Sequence, residues 1–241
     1  MEEPPLSHPV PDWTPPETPK QNRIEGRYVR LERFSPTHVS ELHAANSDDP
    51  AIWDYLPYGP FQSEADYGRW VGDMAPLKDP MFFALRNQDS GKAEGVASYL
   101  RINPGAGSIE AGHINLSARL QRTRAATEAL CLMIGWAFRA GYRRFEWKCN
   151  ALNAGSRRAA ERLGLSYEGT FRQAMVVKGR NRDTAWFAAI DAEWPALEAA
   201  YGTWLSPENF DEDGRQLRSL SSLTAPILAA RDPSLSGATK G

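Results

Sequence analysis

The chain has 241 residues, 41% of them hydrophobic and 24% charged, which is enough for one generous domain with loose ends. With 28 basic against 30 acidic side chains the formal net charge is -2, so no long-range field recruits nucleic acid or an anionic membrane. Two cysteines, Cys131 and Cys149, and four scattered histidines lack CxxC or HExxH spacing, which argues against a metal centre. No apolar run reaches the length of a signal core or a membrane span, so a soluble protein of the reducing cytoplasm is expected.

Residues 1–22 are crowded with prolines, which fix φ and remove donors, and read as an extended, poorly ordered tail. RYVRLERF then alternates like a half-buried strand, and Ser35-Pro36 supplies a cap and a first-turn proline for a helix through VSELHAAN. After the aromatic loop IWDYLPYGPF, Ser63 and Asp66 have capping-box spacing, and Tyr67, Trp70, Val71 and Met74 form the apolar stripe of a second helix. MFFALRN, EGVASYLRIN and SIEAGHINLS are strands joined by turn chemistry, hence an antiparallel meander. LQRTRAATEALCLMIGWAFRAG is a long helix, apolar over most of its surface and closed by Gly141. YRRFEWKCN alternates again, with Phe145, Trp147 and Cys149 on one face, and completes a parallel crossover. A short helix from Asn153 to Leu163, two strands around a KGRNRD turn, and the helix WPALEAAYGTWL follow. The order predicts a mixed α/β (α+β) domain over 23–204 with a mostly antiparallel sheet. Residues 205–241 form a polar extension in which LRSLSSLTAPILAA suits a short amphipathic helix.

In the short helix, positions 153, 156, 160 and 163 share one stripe, so Ala160 and Leu163 point to the core while Asn153 and Ser156 ride the same face at the N-terminal end. Asn153 as a plain N-cap, and Ser156 as a second one, account for both residues without a ligand. The order of parts changes the balance. A long helix opening at QRTRAATEAL, a strand, then NxxSxxxxERLGLxxEG resembles the GNAT superfamily of acetyl-CoA-dependent N-acyltransferases, and within it the RimJ/RimL-type branch that acetylates protein N-termini and related amines.

That resemblance implies a sheet whose fourth and fifth strands splay apart to admit the pantetheine arm of acetyl-CoA. It implies too a pyrophosphate held by backbone N–H groups at the start of the next helix, where unpaired donors and the helix dipole favour an anion. Gln121, Arg122, Thr123, Arg124, Ala125, Ala126 and Thr127 occupy that turn. Arg124 stands where the family pattern has its first glycine, and only an outward-swung side chain lets the backbone approach phosphate there. Arg122 and Arg124 add two guanidinium groups beside the polyanion.

By the same resemblance Ser156 donates a proton to the leaving thiolate and Asn153 holds the pantetheine end, while a backbone N–H around Asn115, Leu116 and Ser117 takes the oxyanion. The base is Glu110 or His113, which period-2 alternation puts on opposite faces unless a bulge intervenes; Glu110 is favoured, with a cross-strand ion pair as its plainer role. Trp53, Asp54, Tyr55 and Tyr58 form an aromatic loop with one carboxylate, suited to a cationic amine, although the rings would equally plug one end of the core. Arg172, Lys178, Arg180 and Arg182 read as solvated charges. The expected partners are acetyl-CoA and an amine acceptor, with no metal, the chain acting as a monomer or homodimer. A non-catalytic acyl-CoA-binding module and an antibiotic- or amino-sugar-acetylating enzyme are the alternatives. No GxSxG elbow or GxxxxGK[ST] loop occurs, and GAGSIEAG leads into a strand, so hydrolase and nucleotide-loop readings have no support.

Overall fold

A computed structural model describes residues 9–235. Eight strands form one sheet, in the order β1-β2-β3-β4-β5-β6-β8-β7. They are β1 (Arg23–Glu25), β2 (Val29–Arg33), β3 (Met81–Asn87), β4 (Ala93–Asn103), β5 (Ser108–Leu116), β6 (Arg144–Asn150), β7 (Ser166–Val177) and β8 (Arg180–Ile190). Among the described residues only the β5–β6 pair is parallel, and it brackets α3 (Arg124–Arg139), as the crossover pattern requires. The remaining helices are α1 (Val39–Asn46), α2 (Glu64–Met74), α4 (Ala154–Arg162), α5 (Trp194–Leu205) and α6 (Leu220–Thr224).

Both faces of the central strands are covered, which is why MFFALRN is apolar without alternation. Met81, Phe83 and Leu85 join the core under α3 and α5; Phe82 and Ala84 join a second core with Leu42 of α1 and Tyr67 and Val71 of α2. The cap expected at Ser63 is in place, the Asp66 N–H donating to Ser63 Oγ at 3.1 Å, and α3 has one that the sequence reading did not name, the Ala126 N–H donating to Thr123 Oγ1 at 3.1 Å. α3 is tied to the sheet by Glu128, a buried carboxylate that accepts the N–H groups of Arg27, Tyr28 and Val29 at 2.6–2.9 Å. Charge-assisted bonds of this kind are the stronger class and fix the helix against the β1–β2 turn.

Two departures from the sequence reading bear on the site. β1 was not anticipated, since three residues carry no period. The turn in KGRNRD is tighter than expected: Lys178 and Gly179 both take positive φ (48° and 73°), the two-residue hairpin geometry, so β8 begins at Arg180 and Arg182 is a strand residue opposite Met175.

The flanking segments lie on this body. The Tyr142 hydroxyl donates to the Glu17 carbonyl at 3.1 Å, and the Arg143 guanidinium stands 5.6 Å from the Trp13 ring centre. After α6, the chain returns over α4: the Tyr167 N–H donates to the Ala230 carbonyl at 3.1 Å, and Asp232 takes both arms of Arg157 at 2.6 Å.

Candidate active site

β5 and β6 pair from Ser108 with Arg144 to Ala111 with Trp147, and no further, although β5 runs on to Leu116 and β6 to Asn150. The parallel pair therefore opens into a wedge. On the other edge of β5 the register with β4 slips between Val96 and Ser98, giving β5 an extra residue, and His113 takes φ of 51°. This bulge turns the strand over. Glu110 and His113, which alternation would separate, line one cavity.

Two cavities flank the wedge. The larger, about 750 Å3, is bounded by the start of α3, by α4, and by Trp204 and Phe210. The N–H groups of Arg122, Arg124 and Ala125 have no hydrogen-bond partner among the described residues; the Gln121, Thr123 and Thr127 N–H groups are already bonded to the Ser117, Leu120 and Thr123 carbonyls. Arg122, Arg124, Arg158 and Arg162 face this space without a carboxylate partner among the described residues, against one lining carboxylate, Asp89. Arg124 resolves the question its position raises. Its backbone begins the helix, the left-handed residue of the turn is Arg122 (φ 62°), and its guanidinium lies between the rings of Tyr28 (4.9 Å) and Phe210 (4.5 Å). Free amides at a helix start, ringed by unpaired guanidiniums, make a receptor for a polyanion. Changing Arg122 to Ala should weaken acetyl-CoA binding about 10- to 100-fold, the worth of one charge-assisted contact, as calorimetry would show.

The smaller cavity, about 490 Å3, lies on the other side of the same turns: Gln121 and Ser156 line it, while their neighbours Arg122 and Gly155 line the larger one. Asn153 caps α4, its Oδ1 accepting the Ser156 N–H at 2.9 Å. Ser156 Oγ accepts the Trp147 indole N–H at 2.9 Å, which leaves the hydroxyl proton to be donated elsewhere. Cys149, two residues further along the same strand face, lines the cavity too; burial pushes its thiol above the usual range against the pull of the Ser156 hydroxyl.

Glu110 is 2% exposed and held by two cations, accepting Arg101 Nη1 at 2.7 Å with Lys148 Nζ 2.8 Å from its other oxygen. Lys148 also reaches Glu146 at 2.7 Å and stands 3.9 Å above the Trp186 ring. The cross-strand ion pair weighed for Glu110 is thus present. His113 stacks on Tyr58 with Nδ1 3.2 Å from its hydroxyl. Burial, and then the charges of Arg101 and Arg182, push its imidazole down to about 4, so it is neutral at pH 7. As pH falls from about 6.5 towards 4 the unfolded chain takes up a proton that the folded ring resists, so stability should fall through that window. Thermal melts should show a smaller loss over the same range for His113→Gln.

Of the other residues singled out, Leu116 points its carbonyl to Gln121 Nε2 at 3.0 Å. Its own N–H faces the wedge, since the Ser117 N–H donates to the Glu94 carbonyl and neighbouring strand residues alternate. Asn115 and Ser117 are buried and line neither cavity; nothing in the structure explains the unpaired Asn115 amide. Trp53 is 5% exposed inside the second core, the plug reading of the aromatic loop, and Asp54 is exposed away from both cavities. Tyr58 supports His113 from behind. Tyr55 does line the smaller cavity, its hydroxyl donating to the Leu152 carbonyl at 3.2 Å. Sequence reasoning missed Asp49, Arg101, Lys148, Cys149 and Arg182 on that lining. Lys148 was legible in principle, because parallel pairing of β5 with β6 brings 110 beside 146 and 148. Arg182 was hidden by the turn assignment. Among the described residues no group of His, Cys, Asp and Glu is placed to hold a metal, and no helix is long and apolar enough to cross a membrane.

This arrangement matches known proteins. The Acetyltransferase (GNAT) domain profile matches residues 29–166. A GCN5-related N-acetyltransferase from Brucella melitensis is 45% identical, covering 90% of this chain and 100% of its own, with a TM-score of 0.88. A probable acetyltransferase of the GNAT family from Chromobacterium violaceum is 38% identical over 81% of this chain and 100% of its own, at 0.75. The microcin C7 self-immunity acetyltransferase MccE, crystallised with acetyl-CoA and AMP, shares the fold at 19% identity, covering 68% of this chain and 93% of its own, at 0.62. No curated protein sequence matches. The wedge, the open helix start and the profile agree: the chain belongs to the GNAT family and is an acetyltransferase of the GNAT fold.

Proposed function

We propose that the protein transfers the acetyl group of acetyl-CoA to a primary amine by direct attack in a ternary complex, as a cytoplasmic enzyme of the RimJ/RimL-like branch. The observation that carries this reading is the wedge between β5 and β6, with unpaired amides and four arginines on one side and a polar cavity on the other. The catalytic unit is residues 23–204, which borrows Phe210, Gly214 and Gln216 from the following segment for the wall of the larger cavity.

Acetyl-CoA supplies an activated acyl group and a thiolate leaving group; the protein positions and moves protons. The amides of Arg122, Arg124 and Ala125 and the surrounding guanidiniums hold the phosphates, and the Asn153 side chain steadies the arm passing through the wedge. The Leu116 N–H is the donor for the carbonyl oxygen as charge develops on it. The amine nitrogen forms the new bond to carbon as the carbon–sulfur bond breaks. His113, carrying its own proton on Nδ1 towards Tyr58, accepts the amine proton at Nε2, directly or through water, Ser156 donates to the departing sulfur, and the proton held by His113 passes through water to the Ser156 oxygen, restoring both groups. Glu110, already bound by Arg101 and Lys148, orders those cations instead of acting as the base.

Acetyl-CoA at a hundred times its Kd should add about 2.7 kcal/mol of stability, which a thermal-shift titration measures. Thiol release over N-terminal peptides, free amino acids, polyamines and aminoglycosides then tests the transfer. No shift, or no thiol release with any amine, removes the reading; a shift without release leaves only an acyl-CoA-binding module.

A further inference from the structure

The lining of the smaller cavity is inconsistent with a simple cationic acceptor. Three cations, Arg101, Lys148 and Arg182, face two carboxylates, Asp49 and Glu110, and His113 is neutral. Asp49 is engaged as a cap, its Oδ1 accepting the Ala51 N–H at 2.9 Å, and Glu110 is neutralised by Arg101 and Lys148. The cation left over is Arg182. It has no carboxylate partner among the described residues: Nη1 meets only the Met175 sulfur at 3.1 Å, and Nε is buried with no acceptor at all. Its surroundings are those of the reacting centre, for its charge acts on His113 and on Cys149, and Arg101 and Glu110 act on it in return. A half-buried guanidinium with an orphaned Nε–H is costly to keep unless something completes its hydrogen bonds. Its planar fork matches a carboxylate or a phosphate.

Resting on the transferase reading above, we infer that the acceptor is an amine that also carries an anionic group, and that Arg182 binds that group. The placement explains why the β7–β8 hairpin, pinned by Lys178 Nζ to the Trp53 carbonyl at 2.9 Å, is drawn across the cavity. It brings a fixed positive charge to the acceptor while leaving the acetyl-CoA side untouched.

The test compares matched acceptors in a thiol-release assay: glycine, β-alanine and γ-aminobutyrate against their amides, and O-phosphoethanolamine against ethanolamine. An amide leaves its amine less basic and more of it neutral, so intrinsic reactivity favours the amide over the acid. The wild type should nevertheless prefer the anionic member of at least one pair by about 10- to 100-fold in kcat/KM. Arg182→Gln should cut that ratio by about 10- to 100-fold, to unity or below, with the acetyl-CoA thermal shift intact; any change it works through His113 falls on both members of a pair and cancels in the ratio. Arg182→Lys should recover part of the preference, because it keeps the charge without the fork. Preference for an amino acid or for the phosphate tells which anion is taken, and either supports the inference. Uncharged members used as well as anionic ones by the wild type, or equal losses for both in Arg182→Gln, overturn it and leave the transferase reading standing. Failure of every member of every pair to release thiol, when another amine does, overturns it as well; failure with all amines overturns both.

Discussion

Replacing Asp232 by alanine is expected to lower folding stability by about 3–5 kcal/mol, the usual cost of stranding a buried ion. Asp232 is fully buried and takes Arg157 Nε and Nη2 in a bidentate pair at 2.6 Å each. Arg157 is 8% exposed and also donates to the Ala151 carbonyl at 2.7 Å and to Ser234 Oγ at 3.0 Å. Without the carboxylate a guanidinium stays in the interior with half its donors unmet. The loss is read from urea unfolding as a lower midpoint at unchanged slope. Asp232→Leu combined with Arg157→Met should recover part of it, since an apolar pair has no charge to strand. A loss below about 1 kcal/mol for Asp232→Ala would show that water reaches the pair and screens it. The consequence extends to the site, because Arg157 follows Ser156 in the first turns of α4. The segment after α6 thereby braces the helix that carries the proposed proton donor.

That brace shows where the sequence stops being informative. The strands and helices between 29 and 205 were legible because each is a local pattern: period 2 in RFEWKCN, a 3.6-residue stripe in the second helix, Ser63 at its cap. The stripe through Asn153, Ser156, Ala160 and Leu163 was equally plain, and Ala160 and Leu163 are indeed buried. The wedge and the bulge could be expected only through the resemblance, since a strand's sequence does not say where its neighbour leaves it. What escaped were pairings between distant residues. Arg157 with Asp232 spans 75 positions, Glu128 with the amides of 27–29 about a hundred. Arg182 failed for a smaller reason: one turn assigned too long moved it from a strand face to a loop tip. Trp53 failed because an aromatic run looks the same whether it lines a cleft or fills a core.

Ser156→Ala should cut kcat by about a hundredfold at neutral pH, the lower end of what a positioned proton donor supplies. The lower end applies because a thiol with a pKa near 8.5 is already a fair leaving group, so the donor has modest work to do. Acetyl-CoA affinity should be nearly unchanged, since the amides and guanidiniums proposed to hold the phosphates lie on the other side of the turn. The expected pattern is therefore a fall in kcat without a matching rise in KM for acetyl-CoA, the mark of an interaction made in the transition state. The substitution also removes the acceptor of the Trp147 indole N–H, 2.9 Å away, so a stability loss of about 1–3 kcal/mol is expected with it. Ser156→Thr separates the two effects, for it keeps a hydroxyl that can both accept from Trp147 and donate to sulfur. If Ser156→Ala retains wild-type kcat while melting lower, the hydroxyl serves Trp147 alone. The proton for the thiolate would then come from water, and the Asn153–Ser156 turn would be an N-cap whose place beside the wedge is structural.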